Sequence, residues 1–214
     1  MTRLIITRHG QSIANAECRF AGQTDFDLSD LGYAQAECVG KYISQNFKID
    51  HIYSSDLLRA YNTALAIAKR VNLKVIPTTA LREIYAGAWE GHTTDEIKLE
   101  YEHDFSIWRN DYANCRCTGG ESTKEVYRRA ISTVKELAEQ HPEGTLLLST
   151  HATLVRAICA YSQGLDESRV GEIPFAYNAS INVFTYDDGN LIPERLNIIE
   201  HLGDMVTKFH HSFG

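Results

Sequence analysis

The run GTLLLSTHA, residues 144–152, sets three leucines in a row between a glycine and a histidine. It is too short for a helix and unbroken by polar residues, so it reads as a buried strand. Leu4, Ile5 and Ile6 open the chain in the same way, with β-branched residues that favour a strand. Between such runs lie segments with helical spacing. SDLGYAQAECVGKYISQNF (29–47) carries Leu31, Ala34, Cys38, Tyr42 and Ile43 behind Ser29 as a plausible N-cap. IDHIYSS (49–55) reads as a second strand, LLRAYNTALAIAKRV (57–71) as a helix, and LKVIPT (73–78) as a third strand.

The second half continues the alternation. TTDEIKLEYEHDFSIWRND (93–111) reads as a helix, with Thr93 and Glu96 at capping-box spacing. NCRCTGGEST (114–123) is a loop; Ser122 and Glu125 open a further helix with Val126, Ala130, Val134 and Leu137 on one face. A helix TLVRAICAYSQG follows the leucine strand, and two extended runs around DDGN close the chain as a hairpin. Strands alternating with helices of this length predict a three-layer α/β/α sandwich with a mainly parallel central sheet. No internal linker interrupts residues 1–214, so one domain is expected, with residues of about 84–120 as an insertion carrying its own helix.

Composition narrows the function classes. The net charge of −7 argues against nucleic acid or an anionic membrane surface as partner, both of which select a basic face. No apolar run approaches the roughly 20 residues that span a bilayer, and MTRLIITRHG enters a strand at once without signal-peptide character. Cys18, Cys38, Cys115, Cys117 and Cys159 are odd in number and irregularly spaced, which fits free thiols in a reducing cytoplasm.

The chemistry lies where the strands end. LIITRHGQS and LLLSTHATL both run from an apolar strand into a histidine, His9 or His151. In a parallel α/β sheet the carboxyl ends of the strands line one edge, and ligands bind in the crevice there. Arg8 precedes His9 directly, and Arg59 in YSSDLLRAYNTA starts the helix after the second strand, near the same edge. Arginine's planar fork matches phosphate or carboxylate oxygens in pairs. Two arginines and two histidines converging there describe a pocket for a dianion.

The sequence resembles the histidine phosphatase superfamily, the branch holding the cofactor-dependent phosphoglycerate mutases and their phosphatase relatives. The resemblance rests on TRHGQSIAN (7–15), GQTDFDLSDLGYAQA (22–36), YSSDLLRAYNTA (53–64), LREIYAGAWEG (81–91), GGES (119–122), STHATLVRA (149–157) and NASI (178–181), in family order. It implies that His9 is the nucleophile and forms a phosphohistidine, with Arg8, Arg59 and His151 around the transferring phosphoryl. Gly10 would let the backbone approach the anion. Glu83 matches the family's proton donor and acceptor, which is protonated when the ester breaks and takes a proton from water afterwards. Asn15, Gln23 and Thr24 match positions that contact substrate in relatives. No metal and no cofactor are implied.

Other residues invite a metal reading that their spacing does not support. Cys115 and Cys117 form a C-x-C with no second pair at zinc spacing, and FHHSFG at the C-terminus reads as a tail. His92 and His103 are expected on the surface; Trp89 and Trp108 are expected to pack the insertion. Tyr85, Trp89, Tyr101, Phe105, Trp108 and Tyr112 hint at aromatic walls, and Arg109 and Arg116 at contacts to a second acidic group.

LREIYAGAWEG is similar to the phosphatase branch, whereas mutases typically carry an ERHYG-type segment and a longer chain. The expected function is metal-independent hydrolysis of a small phosphorylated metabolite. The alternatives are a 2,3-bisphosphoglycerate-dependent phosphoglycerate mutase and a module that binds a phospho-ligand without turnover. The free edge of the closing hairpin is a candidate homodimer contact.

Overall fold

The computed structural model describes residues 1–207. Its core is a six-stranded sheet in the order β3-β2-β4-β1-β5-β6. The strands are β1 (Thr2–Arg8), β2 (His51–Ser55), β3 (Val75–Thr78), β4 (Thr145–Thr150), β5 (Ile181–Asp187) and β6 (Asn190–Ile198). β1, β2, β3 and β4 pair in parallel, and β5 joins β1 antiparallel and carries β6 at the edge. The turn between β5 and β6 is Asp188–Gly189, both with positive φ (45° and 79°), which matches the twist of a two-residue hairpin.

The unbroken apolar runs are explained by burial on both faces. Leu4 and Ile6 of β1 and Leu146 and Leu148 of β4 enter one core, while Ile5 and Leu147 enter the other. All six are fully buried, and each such side chain contributes about 1.5–3 kcal/mol over its exposed state. Helices α6 (Thr123–Gln140) and α7 (Ala152–Ser162) cover the first face through Val126, Ala130, Val134, Leu154 and Ile158. Helices α2 (Asp30–Asn46) and α3 (Leu58–Val71) cover the second through Val39, Ile43, Ala64 and Ile67. The arrangement is the three-layer α/β/α sandwich expected from the alternation.

The caps fall where the sequence places them. Ser29 accepts from the Gly32 amide at 3.1 Å, and Thr93–Glu96 and Ser122–Glu125 form reciprocal capping boxes. Three local features differ. Residues 93–111 form two helices, α4 (Thr94–Glu100) and α5 (Glu102–Asn110), broken at Tyr101 (φ −127°, ψ 42°). A single helix would hold one face throughout. The break lets Ile97 on α4 and Phe105 and Trp108 on α5 reach one core, where Phe20, Trp89 and Trp108 meet edge to face at 5.2–5.9 Å. A short helix α1 (Ile13–Ala16) follows β1, closed by a Ser12–Asn15 capping box.

The third difference is Gly10. Its φ is not in the left-handed region, and what demands glycine is a neighbour. A Cβ there would sit 2.4 Å from the Gly32 carbonyl oxygen, and one on Gly32 would sit 1.9 Å from the Gln11 carbonyl oxygen. The two glycines seat the loop carrying His9 against the first turn of α2. Approach to an anion is not what excludes a side chain at Gly10.

No helix among the described residues is long and apolar enough to cross a membrane. The FHHSFG segment, 209–214, lies outside the described residues.

Candidate active site

β1 and β4 are hydrogen-bonded neighbours with Arg8 opposite Thr150. One residue further, the His9 amide donates to the Thr150 carbonyl at 3.0 Å. The parallel pairing therefore brings both histidines to the carboxyl edge of the sheet, with ring centroids 5.1 Å apart and planes at 61°. His9 Nδ1 lies 2.6 Å from the Gly10 carbonyl oxygen. A carbonyl can only accept, so Nδ1 carries the proton and Nε2 keeps its lone pair. Burial, followed by the Arg59 and Arg8 charges, holds His9 well below the ordinary histidine range and therefore neutral. His151 is fully buried beside it and depressed for the same leading reasons, burial and then Arg59. Neither ring nitrogen of His151 has a hydrogen-bond partner among the described residues.

Two buried guanidinium groups flank this pair. Arg8 donates from Nη1 to the Ala176 carbonyl at 2.7 Å. Its burial lowers its pKa to about 10, with Glu83 opposing and Arg59 adding to the shift, so it remains a cation at neutral pH. Arg59 leaves the first turn of α3 and is gripped by the loop at residues 22–24. Its Nη1 donates to the Thr24 carbonyl at 3.0 Å and its Nη2 to the Gly22 carbonyl at 2.7 Å. Backbone carbonyls thus orient one donor of Arg8 and two of Arg59.

Glu83 lies on the segment after β3. Its Oε1 accepts from the Ile84 amide at 2.9 Å and from the Thr153 hydroxyl. Arg82 does not pair with it. Instead Arg82 makes a two-pronged bond to Asp56, at 2.7 and 2.6 Å, so no side-chain cation is drawn off the cavity onto Glu83 by its neighbour.

Arg8, His9, Asn15, Arg59 and Glu83 line one cavity of about 890 Å³. His151 stands behind His9. Gln23 and Thr24 do not line the wall. The Gln23 amide side chain donates to the Glu83 carbonyl at 3.1 Å, and the Thr24 hydroxyl donates to Glu90 at 2.7 Å. Their place is under the site, where Thr24 also offers its carbonyl to Arg59.

The residues of the 84–120 span divide in the same way. Trp108, Arg109 and Tyr112 reach the cavity, Trp89 is fully buried behind it, and Tyr85 is exposed. Arg116 is turned away, paired with Glu125 at 2.8 Å. His103 is exposed, but His92 is half-buried. Burial raises the thiol pKa of Cys115 to about 12 and pushes Cys117 up as well, so both are neutral thiols.

Several wall residues were not singled out by sequence reasoning. Thr153 sits two residues past His151, on the face of α7 that meets Glu83. Arg156, one turn further, rests between the Tyr112 and Phe175 rings at 4.0 and 4.3 Å from their centroids. It donates to the Gly171 carbonyl at 2.7 Å and to that of Ile173. Asn178 opens the NASI motif and reaches back to His9. The only sequence signal for these three is their place in the two C-terminal motifs.

Comparison with known proteins agrees with this geometry. The profile of the histidine phosphatase superfamily (branch 1) matches residues 4–199. The chain is 34% identical to phosphoserine phosphatase 1 of Hydrogenobacter thermophilus, over 98% of this chain and 99% of that protein. It is 36% identical to the glucosyl-3-phosphoglycerate phosphatase of Mycobacterium tuberculosis, over 74% of each. Among solved structures, YhfR of Bacillus stearothermophilus superposes with a TM-score of 0.89 at 27% identity, covering 94% of this chain and 100% of that one. With two histidines and two buried arginines at the sheet edge and these matches along its length, the chain belongs to the histidine phosphatase superfamily, branch 1.

Proposed function

We propose that this chain hydrolyses small phosphomonoesters through a phosphohistidine on His9. The observation that carries the reading is the Nδ1 bond to Gly10, which fixes one tautomer and leaves Nε2 as a lone-pair nucleophile inside a ring of buried cations. Nε2 attacks phosphorus, the N–P bond forms, and the bond to the alcohol oxygen breaks with its electron pair on that oxygen. Protonated Glu83 gives its proton to this leaving oxygen. The resulting carboxylate then takes a proton from water as the water oxygen attacks phosphorus. The N–P bond breaks, inorganic phosphate leaves, and neutral His9 returns.

Arg8 and Arg59 offset charge on the equatorial oxygens, where fixed donors in a dry site act most strongly. One N–H of His151 is free to donate to the same oxygens. These groups supply the charge compensation that metal ions supply elsewhere, which supports a metal-independent reaction.

The wall favours an alcohol part with its own acidic group. Arg156 lies one α7 turn beyond Thr153, the residue that touches Glu83, and no carboxylate among the described residues forms an ion pair with it. Phosphoserine and phosphoglycerates, named for the relatives, carry such a carboxylate beside the ester. The span 84–120 contributes Trp108 and Tyr112 to the wall, which supports reading it as a lid-like insertion within one domain. The unpaired cysteines support a reducing, cytoplasmic compartment.

The test is phosphate release from phosphoserine, 3-phosphoglycerate and simpler esters in EDTA, with His9→Ala in parallel. The expected result is release by the wild type, abolished by the substitution, with an acid-labile phosphoryl group trapped on the protein. Conversion of 3- to 2-phosphoglycerate with 2,3-bisphosphoglycerate present, and little free phosphate, would make the protein a mutase instead. Binding without either activity would make it a phospho-ligand module.

A further inference from the structure

Asn178 is fully buried, yet it belongs to none of the roles assigned above. Its side chain is placed by two acceptors. Nδ2 lies 3.2 Å from the His9 carbonyl oxygen and 3.0 Å from Asn15 Oδ1. The identity of that Asn15 atom is fixed independently. The Ser12 amide, which can only donate, lies 3.1 Å from it, so it must be the carbonyl oxygen of the side chain. Both acceptor directions of Asn15 Oδ1 are thereby filled, one by the capping box and one by Asn178. Asn15 also lines the cavity, and its Nδ2 has no partner among the described residues. The amide cannot be turned over without setting its NH2 group against the Ser12 N–H and the Asn178 NH2.

We propose that Asn178 is a positioning residue that locks the Asn15 side chain with its NH2 toward the phosphoryl group, and at the same time holds the His9 carbonyl. The inference rests on the phosphoryl site described above. Its surroundings reinforce the grip. The Ala179 amide donates to the same His9 carbonyl at 3.1 Å, and Ala179 takes a left-handed φ of 58° to do so. The Arg8 amide donates to the Ser180 carbonyl at 3.2 Å. The 178–180 segment therefore clamps the backbone on both sides of the Arg8–His9 peptide. Without Asn178 only the Ser12 amide opposes a turned-over Asn15, whose carbonyl oxygen would repel an anion.

A double-mutant cycle separates this role from general support. Asn178→Asp keeps the volume but removes both donor bonds, and Asn15→Ala removes the group that Asn178 is inferred to act through. With phosphoserine as substrate, Asn178→Asp alone is expected to lower kcat/KM by about 10- to 100-fold, the size of one hydrogen bond to a charged group. The Asn15 share of that loss should appear in KM, since the amide meets the same oxygen before and during transfer. In the Asn15→Ala background the same substitution should lose less than a third as much. Losses that simply multiply would overturn the inference.

A second measurement needs no variant to fold. Inorganic phosphate titrated into the wild-type protein should move the side-chain NH2 resonances of Asn15 and leave those of Asn178 in place. No movement of the Asn15 resonances at saturating phosphate would overturn the inference. If the wild type released no phosphate from any ester, the hydrolase reading alone would fail, and the titration would still decide this one.

Discussion

The Thr153 hydroxyl donates a direct hydrogen bond to Oε1 of Glu83 across the gap between α7 and the segment after β3. With the Ile84 amide on the same oxygen, it leaves Glu83 one oxygen, Oε2, for the leaving group of the proposed reaction. A proton donor must be held within about 3 Å of the atom it serves. Thr153→Val removes the hydroxyl at almost constant volume. It is expected to lower kcat/KM for phosphoserine up to about 10-fold, the size of one lost neutral hydrogen bond. The loss should be much smaller for p-nitrophenyl phosphate, whose phenolate departs without a proton. Thr153→Ser should restore most of the activity. Equal losses on both substrates would show that Thr153 does not act through the acid.

Stability should fall on mild acidification because of His9 and His151. Both are buried, and their folded-state values lie well below the 6.5 of an unfolded histidine. Below 6.5 the unfolded chain therefore binds protons that the folded chain does not, so stability is full above that value and is lost as pH falls. At pH 5 each neutral buried histidine lowers stability by about 2 kcal/mol, from 1.36 kcal/mol per pH unit. Urea midpoints at pH 7.5 and 5 measure this. The drop should shrink when both histidines are replaced by glutamine. An undiminished drop in that variant would assign the acid sensitivity elsewhere.

What could be read from the sequence follows from which residues act through their type and which through their partners. Arg8, His9 and His151 were legible because a cation or imidazole ending a buried strand has no apolar explanation, and parallel pairing does the rest. Gly10 was legible as special but not for its reason, since the Gly32 carbonyl that excludes a Cβ comes from a helix 22 residues on. Gln23 and Thr24 marked the right loop, but the loop serves the site through the Gly22 and Thr24 carbonyls that grip Arg59, and a backbone atom has no sequence signature. Thr153 and Asn178 looked like ordinary polar residues. Their importance exists only in the pairs Thr153–Glu83 and Asn178–Asn15, which span 70 and 163 residues of chain. The break at Tyr101 was hidden for a similar reason, because the core it serves is built by Phe20 and Trp89.

Gly10→Ala tests the seat of the proposed nucleophile. The added Cβ meets a backbone carbonyl at 2.4 Å and cannot rotate away from it. Overpacking of this kind destabilises by about 1–3 kcal/mol, and the strain falls on the residue next to His9. A lower urea midpoint is expected together with a loss of kcat. Pairing the change with a second glycine gives the control: Gly119 has open space for a Cβ but a φ of 72°, so its replacement strains the loop without touching the His9 seat. Gly119→Ala should lower stability and spare kcat. A Gly10→Ala protein with full activity would mean that the loop shifts as a unit without moving His9.

Arg156 offers the sharpest test of the substrate class. Its guanidinium carbon lies 4.0 and 4.3 Å from the centroids of the mutually perpendicular Tyr112 and Phe175 rings, with carbonyls of Gly171 and Ile173 taking two of its donors. A guanidinium has five N–H donors; with Tyr112 taking a third, two remain for a carboxylate entering the cavity. Phosphoserine and phosphoethanolamine differ by that carboxylate alone. The wild type is expected to prefer phosphoserine by about 10- to 100-fold in kcat/KM, the size of a charge-assisted pair. Arg156→Gln should compress this ratio toward one, while Arg156→Lys, which keeps the charge but loses the flat fork, should retain only part of it. A wild type that treats the two esters alike would remove the acidic group from the substrate description and leave the phosphoryl chemistry at His9 untouched.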